Sequence, residues 1–277
     1  MSDYIYNTGE TEDSLHKKYN PEGSQLRELQ HRMLDMLLYI DSVCKKLNIS
    51  YYLDGGTCLG AIRHHGFIPW DDDMDIVVDT KDYKRLCDYL YANPHPYYIL
   101  HNRKTDSNYY LGWSKLRDKA SNSTYLGNNI MTRNQENIFK YTGVMIDIFP
   151  YSDHVIPSLH KIIHGLHNRI NRYYLVGKHK RLADILYLIC FKIFKPIANL
   201  IGLLFSKKTI YAHDYLSHNT YFRFQKDKIF PLKEIEFEGH YFNVPNNTDY
   251  FLKVLYGNYM DLPPITERNH HNYRFTL

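Results

Sequence analysis

Four of the five residues from Asp71 to Asp75 are aspartates, and the chain then runs straight into Ile76-Val77-Val78. Any fold must leave that junction open to a counter-charge, because unpaired carboxylates held close together repel and resist desolvation. If Asp73-Met74-Asp75-Ile76 starts a strand over Met74–Val78, successive side chains alternate faces, and Asp73 and Asp75 project on one side. Two such carboxylates make sense around a cation. Magnesium is the expected guest, since it takes hard oxygen ligands and shares them with substrate phosphates. Manganese is the alternative.

A third carboxylate is available in Val144-Met-Ile-Asp147-Ile-Phe149, an apolar strand pattern broken by one acid. Such an acid is costly to bury unless it is paired, hydrogen-bonded or metal-bound. Placed beside the first strand, Asp147 would complete a three-carboxylate site; a buried pair with an arginine is the plainer alternative. Upstream, Gly55-Gly56 ends a strand candidate (Ser50–Asp54) ahead of a short helix near 57–64. Glycines allow close backbone approach, and a helix N-terminus favours phosphate. Taken alone, a Gly-Gly pair is a turn, and an Asp-rich loop is a solvated loop or a helix cap. Their order along the chain makes the case for a site that handles metal and phosphate.

The chain has 277 residues, 44% of them hydrophobic and 23% charged, which excludes wholesale disorder. Cys44, Cys58, Cys87 and Cys190 are scattered, without metal-ligand spacing, so neither a structural zinc site nor a disulfide framework is expected, and a reducing compartment fits. The acidic, polar start MSDYIYNTGETEDS is not the pattern of a secretory signal. Residues 1–20 read as a mobile tail. Residues 21–154 read as the catalytic core, opened by a long helix with its apolar stripe at Leu26, Leu29, Met33, Met36, Ile40, Val43 and Leu47. Residues 155–217 read as a helical insert. Residues 218–277 complete the catalytic domain, with a hairpin arm over Phe237–Val244, its turn near Glu238-Gly239-His240, and a last helix over 246–260.

The run Gly56-Thr-Cys-Leu-Gly-Ala-Ile-Arg63-His-His-Gly-Phe-Ile-Pro-Trp70-Asp-Asp-Asp-Met-Asp75-Ile resembles the hallmark of the LicD family of phosphotransferases, G-T-L-L-G-A-x-R-x-x-G-F-I-P-W-D-D-D-x-D-I. Cys58 is a mild departure. The likeness continues at Lys115-Leu-Arg-Asp118, Gly143–Pro150, Phe237–Pro245 and Tyr256–Pro264, so it spans about residues 25 to 271. It implies an α+β fold, with a nucleotidyltransferase-like mixed β-sheet core, flanking helices and an inserted basic helical region. The gap from Gly56 to Asp73 is longer than the general nucleotidyltransferase pattern usually allows.

The resemblance also implies a reaction. A phospho-headgroup, with phosphocholine favoured, would pass from a CDP-linked donor such as CDP-choline to a hydroxyl of a glycan or lipid-linked glycan. Cell-surface polysaccharide, teichoic acid or lipopolysaccharide precursors are the acceptors to expect, and CMP leaves. Magnesium on Asp73, Asp75 and Asp147 would bridge the diphosphate, with Asp147 or Asp75 as the proton acceptor. Gly55, Gly56 and Thr57 would border the donor, and Arg63, Lys115 and Arg117 would clamp its phosphates. Asp71 and Asp72 either support the ligands or join them. Trp70 either stacks on a base or packs into a wall. Arg268, His270 and His271 either close over the site or belong to a tail. The rivals are a nucleotidyltransferase that acts on a sugar, another small molecule or RNA and releases pyrophosphate, and a catalytically silent glycan- or membrane-binding protein.

Charge is unevenly spread. The net charge is only +4, yet residues 155–210 hold ten Lys/Arg against one acid, Asp184. Residues 182–205 are strongly apolar, and Lys192, Lys195 and Pro196 divide them into pieces too short to span a bilayer. Two short helices lying on an anionic membrane surface are expected, with a core helical hairpin as the alternative. That reading suits a cytoplasmic protein, peripheral on the membrane's cytoplasmic face. Nucleic acid is not an expected partner, since no recognised reading module accompanies the charge.

Overall fold

The computed structural model describes residues 5–128, 134, 137–176, 180–217, 222–268 and 273–277. Residues 5–20 contain α1 (Glu12–Tyr19), closed at its start by a Thr11–Ser14 capping box and anchored by the fully buried Leu15. The expected tail is therefore, over these residues, a packed part of the molecule.

Helix α2 (Gln25–Leu47) begins where the Ser24 hydroxyl accepts the Arg27 N–H and ends at Asn48 in the left-handed region. Its buried stripe includes Leu29, Met33, Met36, Leu37, Ile40 and Val43, each contributing about 1.5–3 kcal/mol by leaving water. The chain then forms β1 (Tyr51–Leu53), α3 (Gly55–Arg63), β2 (Asp75–Asp79), α4 (Thr80–Ala92), β3 (Tyr98–His101) and β4 (Ser114–Asp118). A short β5 (Asn122–Tyr125) precedes β6 (Met145–Ser152). β4 begins only at Ser114; Tyr109, Tyr110 and Leu111 ahead of it pack under the helices that follow.

The main sheet has the order β1-β2-β6-β4-β3. Strands β2 and β6 are parallel, whereas β1–β2, β4–β6 and β3–β4 are antiparallel. Eight residues long, β6 pairs with β4 over its first half and with β7 (Ile210–His213) at its end. β8 (Arg223–Gln225) extends that edge. One sheet thus carries strands from both sides of the helical insert, and β7 ties the insert's end to the core.

The insert itself is α5 (Pro157–Val176), α6 (Lys180–Ile189), a π-helical stretch (Cys190–Phe194) and α7 (Lys195–Phe205). Lys180–Phe205 is one helix of 26 residues, not two short pieces. The wider π turn accommodates Pro196, which has no N–H to give, so the helix passes the expected break. By length and composition alone it could cross a membrane.

After a short α8 (Lys226–Ile229) comes the hairpin of β9 (Lys233–Phe237) and β10 (His240–Val244), turning at Glu238-Gly239 as expected. It packs on β1, and α9 (Thr248–Tyr256) packs on α3. The last strand, β11 (Tyr273–Thr276), pairs with β5.

Candidate active site

The parallel ladder sets Asp75 opposite Asp147. The Asp147 N–H donates to the Met74 carbonyl at 2.9 Å, which fixes that register at the strand mouth. Neighbouring strands lie about 4.8 Å apart, so the two carboxylates start from adjacent backbones. Asp73 and Asp75 are half-buried and flank the buried Met74, so both face the same side.

Helix α3 is tied to this mouth twice. The Asp75 N–H donates to Thr57 Oγ1 at 2.9 Å, and the Asp54 N–H donates to the Asp75 carbonyl at 3.0 Å. Gly55 and Gly56 are the first residues of the helix rather than the end of a strand. Gly55 has φ +47°, where a side chain would be strained, and a Cβ there would lie 3.5 Å from both Asp75 Oδ2 and the Tyr256 hydroxyl. At Gly56 a Cβ would reach within 2.9 Å of Asp71 Oδ2. The glycines let backbone approach the acids, leaving the helix's N-terminal N–H groups near them.

The electrostatics follow from this crowding. Burial holds the Asp75 carboxyl well above the usual range, and the charges of Asp73, Asp147 and Asp54 add to it, while Lys115 acts the other way. Asp54 caps α3 and is itself pushed up to about 6 by burial, against the help of the Gly55 N–H. The Tyr151 hydroxyl lies 3.4 Å from Asp54 and 2.8 Å from His213 Nε2. Asp147 is held by Lys115, whose Nζ is 2.5 Å from Oδ1 and 2.8 Å from Oδ2, and by the Trp113 indole N–H at 3.0 Å.

Among the described residues no group of three His, Cys, Asp or Glu side chains is placed to hold a metal ion. The donor set still fits magnesium of the kind held by one or two carboxylates with substrate phosphates and water. Asp75 is a half-buried acid surrounded by other acids and kept from comfortable ionisation, which is the environment a divalent cation relieves.

The structure gathers Gly55, Gly56, Thr57, Asp71, Asp73, Asp75, Asp147 and Lys115 around this mouth. Other expected residues have other work. Arg63 ends α3, about 12 Å from Gly55 at 1.5 Å per residue. Its guanidinium donates to the Tyr259 and Asp261 carbonyls and to His64, so it fastens the C-terminal segment rather than facing the acids. Arg117 is 1% exposed and donates to His101 Nδ1 and the Gly143 carbonyl. Trp70 is a wall residue against Tyr19 and His64. Arg268 lies over Trp70 and binds Glu10 at 2.6 Å and the Pro263 carbonyl, so it straps the N-terminal segment instead of closing over the carboxylates. Asp72 is buried between the half-buried Asp71 and Asp73. His270 and His271 lie outside the described residues.

Sequence reasoning missed Asp54, Trp113 and Tyr256. Asp54 carried a signal, an acid directly before Gly-Gly at a helix start. Tyr256 opens one of the matching C-terminal runs, and its hydroxyl is raised by burial and by Asp54, Asp75, Asp71 and Asp73. Trp113, two residues before Lys115, carried none.

The family model described as "LicD/FKTN/FKRP, nucleotidyltransferase domain" matches residues 48–168 and 192–247. A lipopolysaccharide cholinephosphotransferase LicD of Haemophilus influenzae is 30% identical over 89% of this chain and 96% of its own length. An uncharacterised protein of Rickettsia prowazekii is 40% identical over a quarter of each chain. The human ribitol 5-phosphate transferase FKRP is 41% identical over 44 residues, covering 16% of this chain and 9% of its own. Family match and full-length similarity agree: the chain belongs to the LicD family and is an enzyme, a transferase.

Proposed function

We propose that the chain transfers a phospho-headgroup, phosphocholine first among them, from a CDP-linked donor to a sugar hydroxyl of a lipopolysaccharide-type glycan, with magnesium bound. The observation that carries this reading is the parallel pairing of Asp75 with Asp147, with Asp73 on the same side and a helix N-terminus beside them. The headgroup and acceptor class rest on the name of the Haemophilus relative. The nucleotidyltransferase-like reading of the fold rests on the family model and on the Gly-Gly, Asp-x-Asp and strand-Asp order.

Asp75, with Asp73 or Asp147, would hold the metal and leave its other positions to the donor phosphates and water. The chemistry a bound magnesium supplies is neutralisation of charge on the donor diphosphate and on the departing nucleotide. The N-terminal N–H groups of α3 face the phosphates. Lys115 and Trp113 fix the plane of the Asp147 carboxylate. The acceptor oxygen bonds to the headgroup phosphorus, the phosphorus–oxygen bond to CMP breaks, and the acceptor's proton passes to Asp147 or Asp75.

The test is CMP release from CDP-choline with magnesium and a glycolipid extract, beside Asp73→Ala and Asp75→Ala. Metal-dependent CMP release lost in both variants supports the reading. Turnover of CDP-ribitol or CDP-glycerol alone changes the headgroup. Pyrophosphate released from a nucleoside triphosphate replaces the reading with nucleotidyl transfer.

A further inference from the structure

The 26-residue helix has two unlike faces. Ala183, Tyr187, Cys190, Ala198 and Gly202 are buried against the body. At about 100° per residue, an unbroken α-helix would rotate Gly202 roughly 100° away from Ala183. The π turn takes in one extra residue and brings the two back into line. Gly202 then lies so close to the loop after β6 that a Cβ would sit 1.8 Å from the His154 carbonyl oxygen. Lys195 pairs with Asp214 at 2.6 Å, and Asp184 is held by Arg103 and the Tyr174 hydroxyl.

The opposite face is apolar and open. Ile185, Leu188, Ile197, Leu200 and Leu204 are exposed, and Phe205 is 75% exposed. Ile162 and Leu166 of the adjoining α5 are exposed as well. Soluble surfaces rarely carry an apolar patch this continuous without a partner. Arg181, Lys192, Lys207 and Lys208 are exposed along the same helix and just beyond it. The region's one acid, Asp184, is about 34% exposed and is paired with Arg103 and the Tyr174 hydroxyl. An apolar face with a basic rim, its one acid already paired, complements anionic lipid headgroups over acyl chains. A second copy of the same face would bring the basic excess against itself.

We propose that Lys180–Phe205 lies in the plane of an anionic membrane surface, apolar face inward to the lipid, with the rest of the chain held above it. The helix is long enough to cross, about 39 Å at 1.5 Å per residue. Crossing would strip Asp184 and Lys195 of their partners and pull Gly202 from its seat. Lying flat keeps every one of those contacts. The proposal does not depend on the headgroup-transfer reading, and its test needs no donor.

The experiment is co-sedimentation of the full chain with phosphatidylcholine vesicles, with and without phosphatidylglycerol. Binding is expected to the anionic vesicles and to weaken about tenfold or more on neutral ones. Leu200→Glu/Leu204→Glu should lower it by about tenfold or more through lost apolar insertion, with an unchanged thermal melt showing that the fold is intact. Lys207→Glu/Lys208→Glu should abolish the preference for anionic lipid, and high salt should release the bound chain. Equal binding by the wild type and Leu200→Glu/Leu204→Glu overturns the proposal. So does retention of the chain through an alkaline carbonate wash, which would mean a spanning helix. So does a dimer dissolved by the same double variant without any vesicle binding.

Discussion

Lys115 Nζ lies 2.5 Å from one carboxylate oxygen of Asp147 and 2.8 Å from the other. The lysine is 4% exposed, so this is a desolvated ion pair one strand away from Asp75. Removing one partner of such a pair leaves an uncompensated charge, at a cost of about 3–5 kcal/mol. Lys115→Met should therefore lower the urea midpoint strongly, and Lys115→Met/Asp147→Asn should recover much of the loss while transfer stays absent. If the double variant is no more stable than the single, the pair is not the source of the loss.

Asp75 is expected to oppose folding while serving chemistry. Burial and three neighbouring acids all disfavour its charge. Asp75→Asn removes that repulsion at nearly constant shape. Thermal unfolding should stay level or move up by a few degrees, while CMP release falls by about a thousandfold or more. A clear drop in Tm would contradict this account.

Arg63 is a structural test of the phosphate-clamp idea. Its hydrogen bonds run to the Tyr259 and Asp261 carbonyls, and losing charged hydrogen bonds costs about 1.5–3 kcal/mol. Arg63→Met should lower stability by that order and leave the KM for the nucleotide donor within about twofold. A large rise in KM at unchanged stability would return Arg63 to the donor site.

Gly55→Ala should disturb the site more than the fold. The positive φ of Gly55 costs an alanine about 1–2 kcal/mol. The new methyl would sit 3.5 Å from Asp75 Oδ2 and the Tyr256 hydroxyl. Activity should fall by more than that stability change predicts, measured as CMP release by protein that melts cooperatively.

Stability should decline in mild acid. Burial pushes His64, His101, His160 and His167 down to about 4. Geometry reinforces two of them: Arg63 Nε–H donates to His64 Nε2 at 2.9 Å, and Arg117 Nε–H donates to His101 Nδ1 at 3.2 Å. Each ring keeps its other nitrogen for an acid, Glu12 or Asp106. An unfolded histidine titrates near 6.5. Between about 6.5 and 4 the unfolded chain therefore binds more protons than the folded one, so this stability is full above 6.5 and drains as pH falls toward 4. Asp54 and Asp75, held above the usual range, oppose this as they take up protons, yet the four histidines outnumber them, so urea midpoints should still fall from pH 7 to pH 5. Midpoints flat over that range would exclude these histidines as the cause.

What could be read from residues alone was the part governed by local chemistry. Asp73, Asp75 and Asp147 stood out because an acid inside an apolar run needs a reason, and the α2 stripe stood out because its period is helical. The three cations were harder. Lys115 and Arg117 alternate onto the same face of β4, but two residues along the strand is enough to carry Arg117 to His101 and Gly143. Arg63 sits in the same motif as the acids, yet at the far end of α3 it meets carbonyls from residues 259 and 261, which no local pattern foretells. Asp54 passed unnoticed because an aspartate before a helix has an ordinary capping role. The π turn was hidden because Lys192, Lys195 and Pro196 interrupt the apolar run, so a continuous helix looked like two short ones.

The π turn makes the helix a phase lock. Between Ile189 and Lys195 the chain tolerates exchange of side chains but not a change in count. Deleting one residue there would turn everything downstream by about a quarter of a revolution. Gly202 would leave its seat at His154, Lys195 would lose sight of Asp214, and leucines would face the body in place of the small residues. Divergence in this stretch should thus run through substitution, with insertions and deletions confined to the segments on either side of the helix.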